Sequence, residues 1–255
     1  MLIVFVSIAV LGVTAFIIQR LLENTSNQTN TQCIYLAQAG IHDAIYWYRF
    51  RDSPPGNGYF SLGQTNIDAN NFFVLGGTAS DLLMVDTSGS SIGPLTGPPG
   101  QRYRQLLGLN IQNATNSKAI TIDRMLVTWD NSKKLRTIRI HGSDVWTGND
   151  SSPYNADIED FTLDTVLPAC SIDYLEFNGD MSDVTIISIE FRMTDGTSKT
   201  LTVYSVPVPP QNYSFTVKAT GKTTGSGIYR TIQADYNALT GKITNYYEIN
   251  TEITP

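Results

Sequence analysis

The sequence has few charged residues, and this shortage limits what the chain could be. Only 16% of its 255 residues are Asp, Glu, Lys or Arg, and the net charge is -6. A chain that binds nucleic acid normally carries a basic face, so the composition argues against a nucleic-acid partner. The sequence also lacks a repeat of fixed period and an alternation of helical and strand patterns. These absences argue against a solenoid and a doubly wound α/β fold.

Cysteine is also scarce. Cys33 and Cys170 are far apart in the sequence and form no C-x-x-C pair. Their spacing favours neither a redox pair nor a zinc site. In an extracellular chain they could form one disulfide, and two buried free thiols are the alternative. Sequence gives no distance between them, so both alternatives stay open.

No arrangement of residues in the sequence indicates catalysis, a cofactor or a metal. Residues 89–93 read GSSIG and fit the G-x-S-x-G pattern, but the prolines that follow exclude the helix that such a nucleophile requires. His42 and His141 have no cysteine or histidine at metal-ligand spacing. The loop at residues 178–183 lacks the EF-hand pattern, which favours a solvated turn over a calcium site. We therefore expect a protein that is not an enzyme and holds no cofactor.

A long apolar run stands at the N-terminus. Residues 1–18 carry no charged side chain, and as a helix they would extend about 27 Å, close to the hydrocarbon thickness of a bilayer. A signal peptide, a membrane anchor and the tail of an exported subunit whose leader has been removed all contain such a run. No basic residue precedes the run and no A-x-A site follows it. The third interpretation is therefore favoured.

The pattern changes after Arg20. Residues 23–32 are nearly all polar and are rich in Asn and Thr, which favour helix poorly. Residues 33–51 then show an amphipathic helical pattern whose apolar face comprises Ile34, Ile41, Ile45 and Tyr48. We predict one long N-terminal helix that is unwound near residues 24–32, with a flexible tether at that position as the alternative.

The rest of the chain shows strand patterns. Residues 53–104 are rich in Gly, Pro, Ser and Asn, with one strand near residues 71–75 and a linker at residues 88–100. Six strand patterns follow, at residues 105–112, 119–130, 135–141, 171–178, 185–193 and 199–206. Asp195-Gly196 supplies a hairpin turn between the last two. Six short strands in this space predict a β-sandwich, after which a hairpin and a strand near residues 244–249 complete the chain.

Three stretches make this layout resemble the type IV pilin family. Residues 36–44, LAQAGIHDA, are similar to the AEAGL-type stretch of PilX-like minor pilins and the related pseudopilins. Residues 214–221, SFTVKATG, and 228–236, IYRTIQADY, are similar to the terminal hairpin of that family. Phe5 stands where most major pilins carry a glutamate, an acid that some tip-located and archaeal pilins also lack. The resemblance covers about the first 50 and the last 45 residues.

The resemblance implies an α+β fold class: a long N-terminal apolar helix plus an antiparallel β head with an inserted β-sandwich. The expected segments are an N-terminal helix at 1–52, a loop-rich segment and linker at 53–104, the inserted sandwich at 105–206 and the C-terminal hairpin at 207–255. The expected helix includes the segment near residues 24–32 that the composition predicts to be unwound.

The function that the resemblance implies is structural. The chain would be a subunit of an extracellular type IV pilus-like filament, held first in the cytoplasmic membrane by its apolar helix. Helices of other copies, or of other pilins, would then pack together in the filament core. The residues expected to pack there are Leu2, Val4, Phe5, Ile8, Leu11 and Phe16. The alternative is a low-copy tip pilin or membrane-tethered adhesin whose β head binds a surface or a glycan.

Five Asn-x-Ser/Thr sequons mark positions that would be exposed if the producing cell attaches N-linked glycans. They are Asn24, Asn27, Asn113, Asn149 and Asn212. Because the sequence is rich in Asn and Thr, chance alone yields several such sequons.

Overall fold

The computed structural model describes residues 2–50, 59–163 and 170–254, with side chains described for 14–50, 59–158 and 171–254. In this part of the chain there are two helices, α1 (Leu2–Phe50) and α2 (Ala79–Leu82). The strands are β1 (Gly63–Asn66), β2 (Asn71–Gly76), β3 (Leu83–Asp86), β4 (Ser91–Ile92), β5 (Tyr103–Leu107), β6 (Leu109–Asn113), β7 (Ile120–Trp129), β8 (Leu135–Ile140), β9 (Ser143–Asp150), β10 (Tyr154–Leu163), β11 (Cys170–Asn178), β12 (Ile186–Met193), β13 (Ser198–Ser205), β14 (Ser214–Thr223), β15 (Tyr229–Asn237) and β16 (Lys242–Ile249).

The strands form three antiparallel sheets. A five-stranded sheet has the order β1-β2-β14-β15-β16, so strands that precede and strands that follow the other two sheets in the sequence meet in it. A four-stranded sheet has the order β10-β7-β12-β13. In a seven-stranded sheet β11 is central, with β5 and β6 end to end on one side and β8, followed by β9, on the other.

The fold class expected from the sequence is wrong. The protein is mainly antiparallel β structure in several sheets, with 49% of residues in strands and 19% in helix. Among the residues described, no helix is long and apolar enough to cross a membrane, so the expected long apolar helix is not shown. The physical reason lies in the described side chains of α1: beyond Leu22 they are mostly polar as far as Gln32.

The four-stranded and seven-stranded sheets share one apolar core. Side chains of β7 alternate between buried and more exposed positions, as expected when one face of a sheet is covered. Trp129 at the end of β7 packs against Phe177 of β11 at a ring-centroid distance of 5.2 Å. The Trp129 indole N–H donates to the Lys133 carbonyl at 2.7 Å, so its polar atom is satisfied inside the core.

The strand patterns of the sequence are confirmed for most of these elements. The alternation predicted in residues 185–193 is present in β12, where Ile187, Ile189, Phe191 and Met193 are all buried. The predicted strand at residues 105–112 is split into β5 and β6 at Gly108. This glycine has a φ of 79°, and a Cβ there would lie 2.0 Å from the Gly89 carbonyl oxygen. Only glycine tolerates both conditions, so the chain must break the strand at this point.

The seven-stranded sheet also begins earlier in the sequence than residue 105. Strands β3 and β4 come from the segment expected to be loop-rich, and β4 lies inside the expected linker. β3 pairs with β6, and β4 pairs with β5. Both are short, at four and two residues, and so give too little alternation for the sequence to reveal them.

Candidate functional site

The C-terminal half of α1 lies on the five-stranded sheet. Its buried side chains recur every three or four residues and so form one stripe along the helix, consisting of Cys33, Leu36, Ala37, Ile41, Ala44, Ile45 and Tyr48. The Tyr48 ring packs against Phe215 of β14 and Tyr236 of β15, at centroid distances of 5.0 and 5.9 Å. The apolar face predicted for residues 33–51 is therefore confirmed at Ile41, Ile45 and Tyr48.

Two glycines bring the helix close to the sheet. A Cβ on Gly221 of β14 would lie 2.0 Å from the Cys33 carbonyl oxygen and 2.6 Å from the Ala37 nitrogen. A Cβ on Gly40 of α1 would lie 2.8 Å from Cδ2 of Phe73 on β2. Each contact is shorter than real Cβ atoms show, so an added methyl group would force backbone to move at Gly221 and side-chain atoms to move at Gly40.

Cys33 is a free thiol at this contact. Its Sγ donates to the Ile228 carbonyl at 3.5 Å and lies 4.0 Å from the Thr223 hydroxyl. Burial raises the pKa of the thiol, which keeps it protonated and unreactive at neutral pH. Cys170 begins β11 in a different sheet, and its side chain lies outside the described residues. The sequence left open a disulfide or a buried free thiol, and Cys33 is a buried free thiol.

The N-terminal half of α1 extends away from the head. All side chains of residues 14–25, which we call the projecting segment, are exposed. The first described side-chain hydrogen bond from α1 to the head comes later, where Gln32 Nε2 donates to Asn71 Oδ1 at 2.9 Å. The projecting segment carries five bulky apolar side chains that are 51–66% exposed: Phe16, Ile17, Ile18, Leu21 and Leu22.

The polar stretch after the projecting segment is continuous helix, so the predicted unwinding near residues 24–32 is not observed. Its threonines bond back to the preceding turn of the helix. Thr25 Oγ1 donates to the Leu21 carbonyl at 2.8 Å, and Thr29 Oγ1 donates to the Thr25 carbonyl at 3.0 Å. Such bonds place the hydroxyl within the helix, although threonine has a low intrinsic helix propensity.

Of the residues expected to pack in a filament core, Phe16 is the one whose side chain is described, and it is 58% exposed. The side chains of Leu2, Val4, Phe5, Ile8 and Leu11 lie outside the described residues, although their backbone is part of α1. The expected packing residues did not include Ile17 and Ile18, which lie inside the apolar run of residues 1–18, or Leu21 and Leu22, which follow Arg20. The guanidinium of Arg20 lies over the Phe16 ring and its Nη1 pairs with Glu23 at 3.3 Å, so this charge is accommodated on the helix.

The five sequons lie in different environments. Asn24, Asn27 and Asn149 are exposed, and Asn212 is half-buried. Asn113 is 1% exposed and its Nδ2 donates to the Lys118 carbonyl at 2.6 Å. A glycan therefore has no room at Asn113 in this fold.

The two histidines are exposed, His42 on α1 and His141 at the end of β8. In the described part of the chain, no group of three or more His, Cys, Asp or Glu side chains could hold a metal ion. In the loop that follows β11, Asp180 pairs with Arg104 at 2.6 Å and Asp183 accepts from Asn131 at 3.0 Å. The oxygens of this loop therefore serve the local structure.

Comparison with known proteins adds no identification. No protein-family model matches the chain, and neither the curated proteins nor the solved structures give a match. The projecting segment and its exposed apolar side chains are therefore the strongest functional feature of the described residues.

Proposed function

We propose that this chain is a structural subunit of an extracellular filament of the type IV pilus kind. In this proposal copies assemble through the projecting segment of α1, either alone or together with other pilins. The observation that carries the proposal is the exposure of Phe16, Ile17, Ile18, Leu21 and Leu22 on a helix that lies away from its own head. Contiguous exposed apolar side chains mark an interaction surface.

The energetics support a partner for this segment. Full burial of one large apolar side chain stabilises by roughly 1.5–3 kcal/mol, and each of these five is about half exposed, so covering them would stabilise by on the order of 5 kcal/mol. A helix with no tertiary contacts is also marginal in water, because most helix stability in proteins comes from packing. Contact between projecting segments supplies both the burial and the packing.

The shape supports an open assembly. The projecting segment leaves the head at one end of α1, whereas one face of the other end packs on the five-stranded sheet. The part of α1 before Cys33 has a length of roughly 45 Å at the helical rise. When a segment of this kind packs against unlike surfaces of its neighbours, the contact is heterologous, and a repeated heterologous contact builds an open helical filament.

The direct test is electron microscopy of material sheared from producing cells, with mass spectrometry of the dominant protein band. The proposal expects filaments in which this chain is the main component. Filaments that contain only traces of the chain would favour the low-copy tip pilin, and a chain that remains with the cells as a monomer would contradict assembly altogether.

A substitution in the projecting segment tests the contact itself. Leu22 is 66% exposed, so Leu22→Glu removes no internal packing from the head. In a filament the same change would bury an unpaired charge, which costs several kcal/mol. We expect filaments to be lost while the thermal midpoint of the head stays within about 2 °C of the parent.

The matched control is Gln28→Glu, which adds the same charge at an exposed polar position of α1. We expect this variant to assemble, because the side chain it replaces is already polar. Filaments of normal abundance from Leu22→Glu would rule out the projecting segment as the assembly surface.

A further inference from the structure

A polar cavity of about 670 Å³ lies at one end of the seven-stranded sheet. Four chain segments meet there: the residues before β5, the residues after β11, the start of β8 and the end of β9. The side chains that line it are Gln101, Arg102, Lys133, Arg136, Asn149 and Asn178. The cavity therefore brings together three cations from segments that are distant in sequence.

This end of the sheet lies away from the five-stranded sheet. β11 pairs with β6 through residues 170–172, and β6 pairs with β3, which contacts β14 of the five-stranded sheet. The cavity is at the opposite end of β11, beside Asn178. Six residues of strand separate Ile172 from Asn178, a distance of roughly 20 Å. A ligand in the cavity would therefore not touch α1.

The positive charge in the cavity is only partly neutralised, by one ion pair at Arg136. Among the described residues, no carboxylate lies within ion-pair distance of Arg102 or Lys133. Arg136 Nη1 pairs with Glu176 at 3.3 Å, and Asp150 lies beside the backbone of Gly148 without lining the cavity. In a chain with a net charge of -6, two cations without a carboxylate partner in one recess form an attractive site for an anionic group.

Amide groups stand next to these cations. Asn178 Nδ2 donates to Asn149 Oδ1 at 2.8 Å. This bond orients both side chains and directs the amide group of Asn149 and the carbonyl oxygen of Asn178 to other partners. One donor and one acceptor side by side match a hydroxyl group, which both donates and accepts. The combination of cations with oriented amides is therefore suited to a ligand that carries hydroxyls as well as an acidic group.

Two glycines keep the recess open. A Cβ on Gly148 would lie 2.2 Å from the Trp146 ring, and one on Gly179 would lie 3.3 Å from Cδ of Lys133. Gly179 also donates its N–H to the Arg102 carbonyl at 2.6 Å, which fixes the loop that carries Arg102. The Gly179–Arg102 backbone hydrogen bond therefore joins two of the segments that line the cavity.

We propose that this cavity binds an acidic saccharide, with the acidic group between Arg102 and Lys133 and sugar hydroxyls on the Asn149–Asn178 pair. Nucleic acid fits less well, because single strands are held by stacking on aromatic side chains, and no aromatic residue of the described chain lines the cavity. The acidic head would also repel an extended polyanion. The inference does not depend on filament formation, since the cavity lies within one chain.

The test is isothermal titration calorimetry on the full-length chain in detergent, made in a host without N-glycosylation because a glycan on Asn149 would fill the cavity. The probes are trigalacturonate, a sulfated trisaccharide of equal charge, neutral maltotriose and an oligonucleotide of equal charge. We expect one or both acidic saccharides to bind and the other two probes to fail. Comparison of trigalacturonate with the sulfated trisaccharide shows whether the site prefers a carboxylate or a sulfate group.

The double variant that combines Arg102→Gln and Lys133→Gln should weaken saccharide binding about tenfold or more, since charged hydrogen bonds are lost. The matched control is Lys134→Gln, which removes one charge beside Lys133 from a residue that does not line the cavity. This control should retain affinity within about twofold. The single variant Arg102→Gln is at an exposed position and leaves Lys133 in contact with Gly179. Its saccharide affinity therefore reports the loss of one cation without a change in that packing.

Three results would overturn the proposal. They are no binding of either acidic saccharide by the parent chain, equal binding of the oligonucleotide, and equal weakening by Lys134→Gln and Arg102→Gln. None of these results depends on whether the chain forms filaments. A failure of the saccharide proposal can therefore be distinguished from a failure of the assembly proposal.

Discussion

At the scale of single residues, two glycines set how closely α1 approaches the five-stranded sheet. Gly221 faces the helix backbone, with the Cys33 carbonyl oxygen and the Ala37 nitrogen as its neighbours. Gly40 faces the Phe73 ring, where an added Cβ would lie at 2.8 Å, and the Cβ of Ala219 at 3.0 Å. A methyl group at the first position would meet backbone atoms at 2.0 and 2.6 Å, so it demands a larger displacement than a methyl group at the second position.

This difference predicts an order of effects. Gly221→Ala should lower the free energy of unfolding by about 2–3 kcal/mol, because overpacking against backbone cannot relax locally. Gly40→Ala should cost less, since the strain against Phe73 is offset by up to about 1 kcal/mol of helix propensity. Chemical denaturation of both variants measures the two values. Equal losses, or a larger loss at Gly40, would show that the helix is not held by close contact at Gly221.

At the scale of elements, the two halves of the continuous helix α1 are stabilised differently. Its C-terminal half is stabilised by a buried stripe, whereas the side chains of the projecting segment are all exposed. In the monomer the two halves therefore differ in local stability, even though the helix is continuous.

Hydrogen exchange should detect this difference. In the monomer we expect the amides of residues 14–25 to exchange at least about a hundredfold faster than those of residues 36–48, because only the second group is covered by the sheet. In assembled filaments the first group should become protected. Exchange of residues 14–25 that stays fast in filaments would contradict the proposed assembly contact, and residues 36–48 serve as the internal control.

At the scale of the whole molecule, one lysine joins the three sheets. Lys199 belongs to β13 of the four-stranded sheet, and its Nζ donates to the Leu83 carbonyl of β3 at 2.5 Å and to the Ser214 carbonyl of β14 at 3.0 Å. Burial lowers the pKa of this amine to about 8. A neutral amine still has two N–H groups, so it can keep both hydrogen bonds after it loses its proton.

The lowered pKa gives a pH dependence of defined sign. Between pH 8 and 9.5 the unfolded chain keeps the Lys199 proton while the folded chain loses it, so the free energy of unfolding should rise with pH. The rise should be about 1.5 kcal/mol across this window. Denaturation of the parent and of Lys199→Met is measured at several pH values. The difference between their free energies of unfolding isolates the contribution of Lys199, because the other groups titrate in both chains. Parallel pH profiles for the two chains would show that Lys199 has no lowered pKa.

Local patterns made a large part of this fold predictable. Residues 185–193 alternate so regularly that β12 and its buried face follow from the sequence, and the helical spacing of Ile41, Ile45 and Tyr48 identifies the docked face of α1. Short strands such as β3 and β4 were not predictable, because pairing with β6 and β5 makes them strands, and their own residues do not.

The functional features divide in the same way. The apolar run at the N-terminus is visible in the sequence, but which side chains stay uncovered depends on where the head begins, and this placed Leu21 and Leu22 among the exposed residues. The cavity with Arg102, Lys133 and Arg136 could not be predicted at all. Its residues stand on loops and strands far apart in the chain, where no spacing rule relates them.

The sequence by itself determined the strand pattern of β12 and the docked face of α1 at Ile41, Ile45 and Tyr48, since each depends on local periodicity. Only the tertiary structure decided the pairing of β2 with the distant strand β14, the free state of Cys33, the burial of Asn113 and the meeting of three sheets at Lys199. These features arise from contacts between distant residues. Such contacts form because they bury apolar surface and satisfy polar groups together, and no local stretch of sequence contains both partners.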